Sequence, residues 1–362
     1  MSVNSNSNVY ASLLLSLDAG KRAVIITRLK QSKNEKFFST ERLISVQGEN
    51  IQTSDLSIDQ EFMDKARESV QTGNILFMKS IDGNEVMIEP YFPGPQLIVM
   101  GGGHIAVPLV EFAAKAGFQV TVIDDRPFFA NVARFPLAQT VICESFEKSF
   151  ERLNLNESSF VVVITRGHRY DLLCVREALK HDTAYIGMIG SKRHVNLVFE
   201  KILEEGCTPE QIQRVSAPIG VDIGAVTPEE IAVSILAQVI AARRKRKTSA
   251  DFSPEKFNWP EYDPSVIKEL SQDKKKPKAV VTIISTKGSV PRKSGAKMIV
   301  FPDGNILGSI GGGCSEGEVI IIARDIIRSG GYKVHNVDLT GDGAEEEGMV
   351  CGGTMEVLIE AI

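Results

Sequence analysis

Cys314 lies in the run Ser309-Ile310-Gly311-Gly312-Gly313-Cys314-Ser315-Glu316-Gly317-Glu318, which sets a thiol on a glycine turn where a helix is expected to begin. Ile306, Leu307 and Ile310 read as strand, and the apolar stretch from Val319 to Ile327 reads as helix, with Arg324, Asp325 and Arg328 on its solvent side. Glycine permits positive φ and lets a ligand come close to the backbone. A cysteine at a helix N-terminus feels the positive end of the dipole, which can move its pKa from about 8.5 into the range of roughly 3.5 to 7.5. Cys314 then reads as a thiolate, able to attack or to bind a soft metal; the plainer alternative is a tight turn with a small buried apolar residue. Cys351, in Gly348-Met349-Val350-Cys351-Gly352-Gly353, repeats the pattern of a thiol beside paired glycines. Glu316 and Glu318 read as caps of the helix after Cys314, and their charge opposes thiolate formation.

A second turn, Gly101-Gly102-Gly103-His104-Ile105-Ala106, follows an expected strand, opens an expected helix and fits G-x-G-x-x-A. Asp124 and Asp125 end the next strand about twenty residues on, where a dinucleotide fold places the acid that accepts a ribose hydroxyl. The turn reads as a pyrophosphate cradle, with NAD(P) as one candidate occupant, or as a packing turn that has lost its nucleotide. His168, in Thr165-Arg166-Gly167-His168, falls at the carboxyl edge of the sheet, as an acid/base or ligand contact or as a structural imidazole. Lys192 and Arg193, after Gly190-Ser191, read as phosphate holders or as a solvated helix start, and Asp222 as a turn former or a cation ligand.

The positioning elements are legible in outline. Residues 96 to 247 alternate strand and helix: strands Gln96 to Met100, Gln119 to Asp124, Thr140 to Cys143, Phe160 to Thr165 and Tyr185 to Ile189, with helices Val107 to Ala116 and Asp171 to Lys180. That is the pattern of a Rossmann-like, doubly wound parallel sheet. On either side the sequence repeats itself. Lys21 to Thr27 parallels Pro277 to Ile283, and Glu85-Val86-Met87-Ile88-Glu89 parallels Glu356-Val357-Leu358-Ile359-Glu360, which implies two similar small α/β modules. In the first copy Ser54 to Ile58 stand where the glycine-cysteine loop would be. The expected organisation is therefore a degenerate module over 1–95, the Rossmann-like domain over 96–247, a linker over 248–276 and the cysteine-bearing module over 277–362.

With 362 residues, 43% hydrophobic and 24% charged, the chain has the composition of a soluble globular protein of two or three domains. A net charge of −5 gives no general attraction for nucleic acid, and the basic run Arg243 to Lys247 reads as a helix end rather than a phosphate patch. Residues 1–9 lack the pattern of a signal peptide and no apolar run has the length of a membrane span, so a cytoplasmic location is expected. Five scattered cysteines argue against a disulfide framework, and no C-x-x-C or H-E-x-x-H suggests structural zinc.

Several stretches together resemble the XdhC/CoxI family of xanthine dehydrogenase accessory proteins. They are Gly288-Ser289-Val290-Pro291-Arg292 with Gly295-Ala296-Lys297-Met298, the Gly311 to Glu318 run, Val122 to Pro127, Thr165 to His168, Tyr185 to Arg193 and Ala217 to Gly224. In the commonest family arrangement the cysteine module precedes the Rossmann domain; here it follows, with the degenerate copy in front. The resemblance implies a chaperone that binds molybdenum cofactor (molybdopterin or its dinucleotide form), assists its sulfuration and delivers it to a xanthine dehydrogenase-like molybdoenzyme. A cysteine desulfurase is a possible further partner and a homodimer the expected assembly. On that implication Cys314 is the molybdenum ligand or sulfur carrier, with Gly311, Gly312, Gly313 and Cys351 around it. Phosphate of the cargo falls to Gly101, Gly102, Gly103, Lys192, Arg193, Arg292 and Lys297, with His104 and Asp124 as further cofactor-binding residues. Two other functions stay open: an NAD(P)-dependent oxidoreductase using the Rossmann domain, and a persulfide or selenium carrier acting through Cys314.

Overall fold

The computed structural model describes residues 6–31, 38–46, 60–79, 83–244, 257–272, 276–311, 314–339 and 352–362, for some of them, Cys314 and Ser315 included, the backbone alone. Ser54 to Ile58, Gly312, Gly313 and Cys351 lie outside the described residues. The chain divides into two compact units, residues 93–247 and residues 1–92 together with 248–362.

The first flank runs α1 (Asn6–Asp18), β1 (Ala23–Gln31), β2 (Phe38–Val46), α2 (Gln60–Thr72), β3 (Leu76–Lys79) and β4 (Glu85–Tyr91). Its four strands form an antiparallel sheet in the order β2-β1-β4-β3. The central unit runs β5 (Gln96–Met100), α3 (Ala106–Lys115), β6 (Gln119–Asp124), β7 (Thr140–Cys143), α4 (Phe146–Arg152), β8 (Ser159–Val163), α5 (His168–Leu179), β9 (Tyr185–Met188), α6 (Lys192–Glu204), α7 (Pro209–Ile212), β10 (Val215–Ser216) and α8 (Pro228–Arg244). The last part comprises α9 (Pro264–Leu270), β11 (Ala279–Gly288), β12 (Lys297–Val300), β13 (Ile306–Gly308), α10 (Cys314–Ser329), β14 (Tyr332–Asp338) and β15 (Gly353–Ala361), its strands ordered β13-β12-β11-β15-β14.

In the central unit all six strands are parallel, in the order β10-β9-β8-β5-β6-β7. Strands buried on both faces need continuous apolar sequence, which Phe160-Val161-Val162-Val163 supplies. Helices α4, α5 and α6 cover one face through Phe146, Val175 and Val198, while α3 and α8 pack together on the other. Arg243, from the basic run, lies 4.6 Å above the Phe118 ring and docks the end of α8. The chain leaves β5 toward β6 and β7, then returns to build β8 on β5's other side. The connections therefore reverse direction between β5 and β8, where an open α/β sheet leaves a crevice at its carboxyl edge.

The two flanks fold together, and the repeat is visible in their topology: β2-β1-β4-β3 corresponds to β12-β11-β15-β14, with α2 and α10 in equivalent places. Alternation along each strand separates two faces. Val24, Ile26, Val86 and Ile88 pack under α2, and Ala279, Val281, Val357 and Ile359 form the core beneath α10. The opposite faces meet each other, Leu29 and Met87 against Ile284 and Leu358. The pairing registers match Ile25 (opposite Glu89) with Val280 (opposite Glu360), and Thr27 (opposite Arg42) with Thr282 (opposite Lys297). The sequence parallel of Ala23 with Ala279 is thus off by one residue, and a one-residue slip exchanges the faces of a strand.

Charged residues on the inner faces pair across the repeat. Lys297 Nζ lies 2.7 Å from Glu89 Oε1 and donates to Thr282 Oγ1 at 2.7 Å, and Arg42 pairs with Glu360, all four side chains being buried. Burial opposes the Arg42 charge, but the Glu360 carboxylate outweighs it and raises the guanidinium pKa. Each copy thus supplies one cation and one carboxylate to the other. The stretch expected as a linker is partly core: Phe257 and Trp259 pack on Phe92, and α9 buries Val266, Ile267 and Leu270 beside α1 and β11. Glu89→Ala should destabilise this unit by about 3–5 kcal/mol, because it strands the Lys297 ammonium in the interior. The pair Glu89→Leu with Lys297→Met should recover most of that loss in urea denaturation.

Candidate functional site

The glycine turn after β5 is built from both sides. Gly101 has φ +115°, and a Cβ there would stand 2.5 Å from the carbonyl oxygen of Ile164, so the turn is pressed against the end of β8. A Cβ on Gly102 would come 2.1 Å from the Phe129 carbonyl oxygen, whereas one on Gly103 would meet nothing within 4 Å. Only the third glycine borders open space. Arg134 donates to the carbonyl oxygens of Gly102 and Gly103 at 3.1 and 3.3 Å. His104, next in the chain, is exposed.

Asp124 corrects the sequence reading. Its buried carboxylate accepts from the Gly102 N–H at 2.9 Å, the Arg126 N–H at 3.1 Å, and Arg126 Nε and Nη2 at 2.8 and 2.9 Å. Both oxygens are committed to holding the turn, so they do not face a ribose. Burial pushes this carboxyl's pKa up, but the Arg126 guanidinium and the two backbone donors more than reverse that and hold it below the usual carboxylate value. Arg126 itself stacks 3.8 Å over the Phe129 ring. The neighbouring acid, Asp125, forms a two-pronged pair with Arg166 at 2.7 and 2.9 Å, tying the loop after β6 to the loop after β8.

Across the crevice, Gly167 caps α5 and His168 is its first residue, exposed at the carboxyl edge. Its Nδ1 faces Nδ1 of His194, in the first turn of α6. His194 Nε2 lies 2.9 Å from Asp171 Oδ2, and Thr165 Oγ1 donates to Asp171 Oδ1 at 2.6 Å. Burial raises the Asp171 carboxyl, only partly offset by its bonds from Thr165 and His194. Gly190 makes room for this arrangement, since a Cβ there would press to 2.5 Å from His194 Cδ2. Ser191 caps α6, with Lys192 and Arg193 exposed beside His194. Asp171 and His194 were not singled out from sequence: they lie 23 residues apart on different helices, and only the fold joins them.

In the other unit three motifs converge. Gly311, φ +142°, faces Pro291, with a Cβ position 3.1 Å from Pro291 Cγ, and a Cβ on Gly353 would come 2.5 Å from the Ser289 carbonyl oxygen. Glu316 reaches back from the first turn of α10 and accepts from Ser309 Oγ at 2.7 Å and the Ile310 N–H at 2.9 Å, fixing the turn to the helix that Cys314 opens. Arg292 is exposed, 3.9 Å from Glu261. Lys297, expected at a phosphate, is instead buried in its pair with Glu89. Among the described residues no group of three or more His, Cys, Asp or Glu side chains could hold a metal ion, and no helix is long and apolar enough to cross a membrane.

Residues 97–239 match the model of the XdhC Rossmann domain and residues 271–338 that of the XdhC and CoxI family. An uncharacterized protein, YqeB, of Escherichia coli is 32% identical over 159 residues, 44% of this chain and 29% of that protein. A Bacillus subtilis protein described as a probable xanthine dehydrogenase subunit is 31% identical over 160 residues, 44% of this chain and 46% of that one. The chain thus spans less than half the length of these curated relatives. A solved structure described as a xanthine dehydrogenase from Bacillus halodurans aligns with 64% of this chain and 92% of its own, at 20% identity and a TM-score of 0.38.

Asp124→Asn tests the clamp. At neutral pH it should cost about 2–3 kcal/mol, the worth of hydrogen bonds to a buried charge. A carboxyl whose folded pKa is depressed stabilises the fold above its unfolded value, about 3.9, and that stability is lost as pH falls through the folded pKa. Wild type and variant should therefore converge in thermal melts below about pH 4.

Proposed function

The chain belongs to the XdhC and CoxI family, and on that membership we propose that it serves a xanthine dehydrogenase-type enzyme by taking up molybdopterin-type cofactor, assisting its sulfuration and handing it on. The observation that carries this reading is the opening at Gly103, at the point where the sheet's connections reverse, with the exposed cations Lys192 and Arg193 opening α6 on the same edge. A phosphate-bearing ligand needs amide donors and cations at such a place, and these residues fit one. Lys192, Arg193 and His104 would hold the phosphate and Arg126 the far side of the turn. Cys314, at the start of α10, would supply the soft sulfur, as a ligand to molybdenum or as a persulfide charged by a cysteine desulfurase. NAD(P) is the weaker occupant, because Asp124 has no oxygen left for a ribose.

Purified chain mixed with molybdopterin should retain it through gel filtration, and Lys192→Glu with Arg193→Glu should reduce retention several-fold. In a maturation assay with a xanthine dehydrogenase-type apoenzyme, Cys314→Ala should lower the active fraction. Undiminished maturation would remove Cys314 from the mechanism, and absence of retention would remove the cargo.

A further inference from the structure

Two imidazoles that meet nitrogen to nitrogen have a fixed proton order once one end is anchored. Asp171 anchors this one. Its Oδ1 accepts from Thr165 and its Oδ2 lies 2.9 Å from His194 Nε2, so a carboxylate there requires the His194 proton on Nε2. His194 Nδ1 then carries a lone pair, and the contact with His168 closes only if His168 bears its proton on Nδ1. That leaves the lone pair of His168 on Nε2, on an exposed ring at the carboxyl edge. The loop carrying it is held to the glycine turn by the close approach of Gly101 to Thr165, whose Cα would be 3.1 Å from a Gly101 Cβ, and by the Arg166 to Asp125 pair.

We propose that His168 Nε2 is a general base for an ionisable O–H or S–H of a small molecule bound over the Gly101 to Gly103 turn, and that His194 and Asp171 are positioning residues that set its tautomer. In the step, the ligand's proton passes to His168 Nε2, the Nδ1 proton shifts to His194 Nδ1, and the positive charge settles on His194 against the Asp171 carboxylate. No bond other than those to hydrogen changes. Charged residues next to the pair in the chain are Arg169 on α5 and Lys192 and Arg193 on α6, and Arg166 is engaged by Asp125. A metal between the two rings is the less favoured occupant, since among the described residues no third ligand converges there and both Asp171 oxygens are in use. The proton order follows from the side chains alone and holds whatever cargo the protein carries.

The test is nitrogen-15 NMR of the imidazoles on the full chain near neutral pH, the five histidines being assigned by single substitutions. His194 should show its proton on Nε2 and His168 on Nδ1. Asp171→Asn keeps the shape, and with its oxygen on the Thr165 hydroxyl, the shorter of that hydroxyl's two contacts, the amide donor turns toward His194; both tautomers should then reverse. Diethyl pyrocarbonate, which acylates an imidazole lone pair, should modify His168 several-fold more slowly in that variant. A His194 proton on Nδ1 in the wild type overturns the proposal without recourse to any variant. So does an unchanged acylation rate in a folded Asp171→Asn protein, or displacement of both Nδ1 resonances by one equivalent of zinc.

Discussion

A single buried carboxylate organises the crevice. Asp124 accepts four hydrogen bonds, from one glycine amide and from the backbone and side chain of Arg126, so that the turn after β5 and the loop after β6 are held as one piece. Charge-assisted bonds of this kind are short and strong, and a charge this far from water is tolerable only because all its acceptor positions are filled. Gly101 and Gly102 follow from the same constraint: backbone brought that close to Ile164 and Phe129 leaves no volume for a side chain. What remains open to a ligand is therefore one glycine, Gly103, and the groups the neighbouring helices bring to the edge.

The flanking modules obey a different constraint. Each sheet has one face covered by its own helix and one face that needs another sheet, and a duplicated module is its own complement. The reciprocal pairs, Lys297 with Glu89 and Arg42 with Glu360, fall at matching positions of the two copies, as a two-fold related contact demands. The front copy need not keep any reactive loop to be required, since its inner face completes the core beneath the cysteine-bearing copy.

Much of the central unit was legible because its strands are short apolar runs bounded by glycine and aspartate. Gln96–Met100, Gln119–Asp124 and Thr140–Cys143 fall where the pattern placed them. Helix α6 was legible only at its start, Lys192-Arg193, because the apolar spacing of Val195, Val198 and Ile202 that extends it begins beyond that polar turn. The site was legible as turns and not as contacts. His168 and the three glycines stood out locally, but the roles of Asp124, Asp171 and His194 depend on partners that sequence separation hides. Lys297 shows the same gap more sharply: in the company of Arg292 it reads as a phosphate contact, and only a carboxylate more than two hundred residues earlier makes it core.

Both glycine turns are held by one device, a carboxylate reaching back to a backbone N–H, Asp124 to Gly102 and Glu316 to Ile310. The electrostatic consequences differ. Asp124 is matched by Arg126 at hydrogen-bond distance, so the clamp adds little net charge at the turn. Glu316 lies within the first turn of α10, where it draws on the same helix-end field that would favour a thiolate at Cys314. Glu316 thus fixes the turn that leads into α10 and at the same time tempers the field at the helix start.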